Sequence, residues 1–208
     1  MKDEITKLLN ISDYDYYKYL LNQDPIKNKI DKNKIDYLIS ESVKCGEDEG
    51  DKLLKKYNNQ DIFKIVKEMN LDISFTHSSE TGYYGYFEEP NKIVIYNNSV
   101  EEAYEFFKSE TDILISKEYI ERVVLAHELF HYIEYKKPDL FINTYKIKLW
   151  SVLKYTRKSN IAYLGEIAAM AFANKLLGKD TYSHILDYIL LYNLDKNQAD
   201  IFFQEITN

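Results

Sequence analysis

The 208-residue chain has little of several things. Its single cysteine, Cys45, excludes an internal disulfide and a cysteine-rich zinc site. It has three prolines and six glycines, and no Gly/Ser/Pro linker, internal repeat or low-complexity tract divides it. Arginine occurs only at Arg122 and Arg157. With 27 basic against 34 acidic residues the net charge is −7, which argues against general nucleic-acid binding. The densest basic stretch, four lysines from Lys27 to Lys34, is diluted by Asp31 and reads as a solvated helix face. Long apolar runs are missing too. Ile185 to Tyr192 is interrupted by Asp187 and is far too short to span a bilayer. Met1 to Asn10 is charged and has no apolar signal-type core. The expectation is a soluble, cytoplasmic protein with no direct nucleic-acid partner and no membrane partner.

What is present can build a core. Apolar residues make up 45% of the chain and aromatics 15%, enough to exclude a disordered acidic tail. The 20 tyrosines, with abundant Ile, Lys and Asn, reflect AT-rich coding better than a specialised aromatic surface. No tyrosine is singled out for that reason alone.

Residues 1–60 read as an N-terminal segment of short helices, with Ile35, Leu38, Ile39 and Val43 at helical spacing. Cys45 to Asp51, acidic and holding two glycines, reads as a loop. Residues 61–208 read as the main domain, packed with the first segment as one unit. Asp61 caps a helix to Asn70. Leu71 to Thr76, Thr81 to Phe87 and Lys92 to Tyr96 are β-rich, and the last two form a hairpin through Glu88-Glu89-Pro90-Asn91. A helix then runs from a Ser116 cap to about Tyr135, ended by Lys136-Lys137-Pro138. Another spans Ile161 to Leu177 and stops at Gly178. Two more lie near Tyr182–Tyr192 and Lys196–Glu205. The fold class is α+β: a predominantly helical domain on a small antiparallel sheet of about three strands, which the motifs below make zincin-like.

The stretch Val123-Val124-Leu125-Ala126-His127-Glu128-Leu129-Phe130-His131 carries the chemistry. Residues four apart on a helix share a face, so His127 and His131 can offer ring nitrogens to one ion. Glu128 beside them suits a general base that takes the proton of a water acidified by that ion. With four histidines in the chain, H-E-x-x-H arises by chance in roughly fewer than one such sequence in a hundred. Two surface histidines on an ordinary helix would be the bland alternative. The apolar run around them opposes it, because burying them without a partner costs several kcal/mol.

A catalytic zinc needs a third protein ligand. Glu134 and Lys137 stand where the metzincin pattern requires Gly and His. Glu166 is the candidate: the one acid between Asp139 and Asp180, on an apolar, alanine-rich helix that permits close approach. Its alternative role is an exposed first-turn acid acting on the helix dipole.

From Asp61 to Leu177 the chain resembles the ImmA/IrrE-type metallopeptidases, which are gluzincin-like. The resemblance rests on DIFKIVKEMNLDISF, GYYGYF and NKIVIY, then VVLAHELFH, then GEIAAMAFANKLL. Glu166, Ala169, Phe172 and Ala173 match the second motif, E-x-x-A-x-x-F-A, position by position. It implies His127, His131 and Glu166 as ligands to one zinc ion per chain, with Glu128 as general base. The lethal-factor and Pro-Pro endopeptidase relatives carry a tyrosine seven residues before the ligand glutamate, where this chain has Ser159. The oxyanion donor is therefore left open among Tyr155, Tyr163, His77 and His184. The resemblance implies a zinc-dependent endopeptidase acting on an intracellular protein, such as a helix-turn-helix repressor of a mobile element or a stress regulator. The alternatives are a regulatory or sensor protein that retains the zinc site without cleaving, and a structural protein with a coincidental motif. An extended substrate peptide would pair with a strand edge, first with Val94 to Tyr96.

Overall fold

A computed structural model describes residues 2–58, 61–77, 82–153, 155–178 and 181–207. The fold is α+β and mostly helical, as the patterning predicts. Two apolar helices set the frame. Helix α6, Lys117–Lys136, begins where the Ser116 side chain accepts a hydrogen bond from the Tyr119 N–H at 3.1 Å. Helix α8, Tyr163–Leu177, ends at Gly178, whose φ of +69° is the left-handed stop that glycine takes without a Cβ penalty. From Leu164 to Ala173 every residue of α8 except Glu166 is buried, so this helix is central and has neighbours on all sides.

Its neighbours come from both halves of the chain. Helices α1 (Lys2–Leu8) and α2 (Asp13–Gln23) are followed by two 3₁₀ turns, Lys27–Lys29 and Lys32–Lys34. The four lysines read as one helix face therefore sit on two short turns. Next comes α3, a single 22-residue helix, Ile35–Lys56. It overturns the reading of Cys45 to Asp51 as a loop and of this region as short helices only. The physical reason is the partner. A Cβ on Gly46 would lie 2.1 Å from the Ala168 carbonyl oxygen of α8, and one on Gly50 would lie 2.9 Å from Lys175 Cγ. Glycine in a helix interior costs about 0.5–1 kcal/mol. Here, one turn apart on one face, the two glycines let α3 and α8 approach closely, Gly46 against the α8 backbone and Gly50 against the Lys175 side chain.

Helix α4, Ile62–Glu68, is capped by the Asp61 side chain as expected. Strands β1 (Asp72–Thr76), β2 (Gly85–Glu88) and β3 (Lys92–Tyr96) follow, and Thr81 lies outside the described residues. The β2–β3 hairpin forms antiparallel as predicted. Strand β1, however, pairs with β3 in parallel, Asp72↔Lys92 through Thr76↔Tyr96, giving the order β1-β3-β2 and a mixed sheet. Ile93, Val94 and Ile95 are buried in succession, the signature of a central strand covered on both faces. Helix α5, Asn97–Glu110, leads into α6. Between α6 and α8 lie the short α7 (Phe141–Thr144) and a second ribbon, β4 (Ile147–Val152) with β5 (Tyr155–Ser159), which the patterning did not reveal. Helices α9 (Ser183–Leu194) and α10 (Lys196–Thr207) complete the chain close to their predicted bounds.

One hydrophobic cluster runs through all of this. Leu8, Tyr16 and Leu38 from the first sixty residues share it with Phe130, Phe172 and Phe202. A buried carboxylate reinforces the joint between the two parts. Glu49 of α3, 3% exposed, accepts hydrogen bonds from Lys52 and from Lys137 at the end of α6.

Candidate metal centre

Helical spacing puts His127 and His131 on the same face of α6, and their Nε2 atoms lie 3.1 Å apart. Glu166, in the first turn of α8, brings Oε2 to 3.1 Å from His127 Nε2 and Oε1 to 3.7 Å from His131 Nε2. Two imidazole nitrogens and a carboxylate oxygen thus converge, and they form the three-residue cluster able to hold a metal among the described residues. With zinc–ligand bonds of 2.0–2.1 Å, a tetrahedral site places its ligand atoms about 3.3 Å apart. His127 Nε2 lies 3.1 Å from both His131 Nε2 and Glu166 Oε2, near that value, and the second carboxylate oxygen lies 3.7 Å from His131 Nε2. The residues therefore fit a divalent ion. Two ring nitrogens facing each other at this distance need a hydrogen or a metal ion between them, since two bare lone pairs would repel.

Glu134, read from the sequence only as a mismatch to another pattern, has a part here. Its Oε2 lies 3.1 Å from His131 Nδ1. Accepting that N–H fixes the ring so that Nε2 turns its lone pair to the centre. Space for the Glu134 carboxylate comes from the residue before Glu166. A Cβ on Gly165 would lie 3.2 Å from Glu134 Oε1.

The electrostatics follow from the geometry. Burial opposes charge on His131, but the hydrogen bond to Glu134 and the nearby Glu166 and Glu128 carboxylates outweigh it and raise its pKa to about 9. Burial would raise Glu166, yet the hydrogen bond from His127 and the charges of both histidines hold it down at about 2. The metal-free cluster is thus a cation–anion pair that a metal would replace by displacing the proton.

The cluster opens on a cleft of about 880 Å³ that Glu128, itself buried, also lines. Strand β2 forms one wall through Gly85, Tyr86 and Phe87, and Leu186 and Leu190 of α9 form another. Strand β3 cannot receive a peptide as Val94 to Tyr96 was expected to, because β1 and β2 already pair with both sides of its backbone. The edge that reaches the cleft is β2.

Of the four oxyanion candidates, Tyr163 lines this cleft, one turn ahead of Glu166. Burial and then the Glu166 charge raise its pKa. His77 lines a different surface cavity with Glu101 and Lys117. His184 is buried against Tyr16, ring centroids 5.7 Å apart. Tyr155 lies exposed on β5. Ser159 ends the same strand and donates its hydroxyl hydrogen bond to the Asn160 carbonyl.

Sequence reasoning missed Asp187. This α9 residue lines the cleft and accepts a hydrogen bond from the buried Tyr16 hydroxyl. Burial lifts its pKa to about 6, against the opposing effects of Tyr16 and His127. The signal was available, since Asp187 is the charge that breaks an otherwise apolar run. Comparison with known proteins finds no matching family model, no matching curated protein and no matching solved structure. The site therefore rests on its own geometry.

Proposed function

We propose that this chain is a zinc-dependent endopeptidase that hydrolyses a peptide bond in an intracellular protein, in keeping with its lone buried thiol, Cys45. The observation that carries the reading is the convergence of His127, His131 and Glu166 beside Glu128 in a cleft walled by an edge strand. An ion held by these three residues would polarise the scissile carbonyl and make the attacking water acidic. Glu128 takes that water's proton and returns it to the departing amine. Glu134 keeps His131 oriented. The free edge of β2 binds the substrate backbone in extended form. Tyr163 is the hydroxyl best located to donate to the developing oxyanion. A helix-turn-helix repressor is the first substrate to try, on the strength of the motif resemblance.

The test pairs metal content with cleavage. Elemental analysis should find one zinc per chain, much reduced in Glu166→Ala. Glu128→Gln should keep the zinc and lose cleavage of repressors or a peptide library by about 10²–10⁴-fold. A zinc-loaded wild type that cuts neither would sink the reading.

A further inference from the structure

The β4–β5 ribbon holds several features that the proposed chemistry does not use. Its end is apolar and bare. Trp150 is 48% exposed, Val152 61%, Tyr155 76% and Leu153 96%. The register Trp150↔Arg157 and Val152↔Tyr155 puts Trp150, Val152, Tyr155 and the Arg157 side chain on one face, with Leu153 in the turn beyond them. The other face carries Ser151 and Thr156, whose hydroxyls lie 3.1 Å apart. An isolated two-stranded ribbon is marginal in water, and a clustered apolar face on one points to a partner. The turn sharpens this. Leu153 has φ +54°, a conformation that favours Gly or Asn and strains leucine. Turn geometry therefore does not account for a leucine there.

The charge is equally uneven. Residues 146–158 contain five cations, Lys146, Lys148, Lys154, Arg157 and Lys158, and no carboxylate. The rest of the chain then carries −12 of the −7 total. The 3₁₀ turn Lys27–Lys29 packs against β4, adding two more exposed lysines to that side. Among the described residues the Lys/Arg–carboxylate pairs lie elsewhere, at Lys52, Lys92, Lys108, Lys117, Arg122, Lys137 and Lys175. The ribbon is not loose at its base. Asn160 donates its side-chain amide to the Asn143 carbonyl at 2.9 Å and to that of Ile142 at 3.3 Å, tying the exit of β5 to α7.

We propose that this ribbon docks the protein peripherally on an anionic lipid bilayer, with Leu153 leading, Val152 and Tyr155 beside it, and the cations meeting the phosphates. Three observations choose lipid over other occupants. The first is order along the ribbon. At about 3.3 Å per residue, Trp150 and Arg157 lie roughly 10 Å behind the tip. Interfacial segments bury their apolar face about 5–10 Å deep, with Trp and Tyr at the boundary and Lys and Arg reaching back to the headgroups. The second is side-chain type. Bases stack on aromatic rings, but a nucleic acid gives Val152 and Leu153 nothing to bury against. The third is shape. The end of a two-stranded ribbon presents far less than the roughly 800 Å² per partner of a stable protein interface, whereas a fluid bilayer closes around any small apolar end. This departs from the sequence-based expectation of no membrane partner, which rested on the lack of a spanning segment; among the described residues no helix is long and apolar enough to cross a membrane. This inference does not depend on the metal centre.

Trp150 is the chain's only tryptophan, so it reports directly. The full-length protein is mixed with phosphatidylcholine vesicles containing about one third phosphatidylglycerol, and with pure phosphatidylcholine vesicles. Expected are co-sedimentation with the anionic vesicles only, a blue shift of the Trp150 emission and its protection from an aqueous quencher. Arg157→Glu with Lys148→Glu should weaken binding by about tenfold or more. Leu153→Ser should weaken binding and abolish the blue shift while circular dichroism and thermal melting stay as in wild type. No sedimentation with anionic vesicles would overturn the proposal. Equal binding to neutral vesicles would overturn it too, as would a Leu153→Ser variant that binds and shifts like wild type. So would Trp150 quenching by single-stranded oligonucleotide with no response to lipid.

Discussion

Helix α8 meets α3 on one side and α6 on the other, and the two contacts make different use of close approach. Toward α3, side chains are deleted. Gly46 leaves room for the Ala168 carbonyl, and the helices touch through backbone. Toward α6, the space between the helices holds polar groups: His127, His131 and Glu166, with Glu134 fitted against Gly165. The first contact fixes where α8 lies; the second uses that position to bring a carboxylate within about 3–4 Å of two imidazoles. A donor set this close depends on a backbone contact elsewhere on the same helix.

The comparison can be broken first on the α3 side. Gly46→Ala puts a methyl 2.1 Å from a carbonyl oxygen, so the helices must separate, and stability should fall by about 2–4 kcal/mol. Denaturant titration measures it. Zinc affinity should fall in the same variant because Glu166 moves with α8. Gly50→Ala meets side-chain carbons of Lys175, Cγ at 2.9 Å and Cβ at 3.1 Å, rather than backbone, and should cost less. Equal losses at the two positions would refute the backbone-contact account.

On the α6 side the effect is smaller and falls mainly on metal. Glu134→Gln removes the charged acceptor of the His131 N–H and should weaken zinc about 10–100-fold, read by competition with a chelating dye. Gly165→Ala crowds the same carboxylate at 3.2 Å and should move affinity in the same direction by less. The unfolding midpoint of the metal-free protein should change little in Gly165→Ala, and should fall at neutral pH in Glu134→Gln, which removes the main contact raising His131.

The smallest effect is a pH dependence. His131 is raised from 6.5 to about 9, so its contribution is fully present below about 6.5 and is lost as pH rises through 9. Glu166 is lowered from 4.5 to about 2, so its contribution is present above about 4.5 and is lost as pH falls through 2. Asp187, raised from 3.8 to about 6, acts oppositely to Glu166: charging it costs stability as pH rises across that interval, with no further loss above it. The chelated protein should therefore melt about 2–6 °C lower at pH 9 than at pH 6.5. Zinc-loaded protein should not show that drop, because the ion has already taken the place of the His131 proton.

Much of α6 and α8 was legible because their signals are local. A serine cap, an apolar period, a terminal glycine and a four-residue histidine spacing are each contained within a turn or two. Glu166 was legible for a related reason, as a lone acid in an apolar helix. What was missed depends on partners distant in the chain. Gly46 and Gly50 look like loop residues until α8 is laid against them. The parallel β1–β3 pairing is set by where the β2–β3 hairpin docks, which no strand's own pattern encodes. Tyr16 and Asp187 meet across 171 positions, and neither residue type alone announces the other. The β4–β5 ribbon escaped because its outer half is exposed on both faces, so no core imposes an alternation there.

The α3–α8 contact also bears on the order of folding. Gly46 and Ala168 lie far apart in the chain, so closing that contact is a slow, non-local step. Helix α6 can present its two histidines by local coiling alone, but Glu166 joins them only once α8 has found α3. During synthesis the histidine pair is therefore made before Glu166, and the nascent chain passes through a stage with two of the three donors. An ion bound at that stage would be held weakly and exchange readily. Under the proposed function, metal loading would be a late event, coupled to completion of the core.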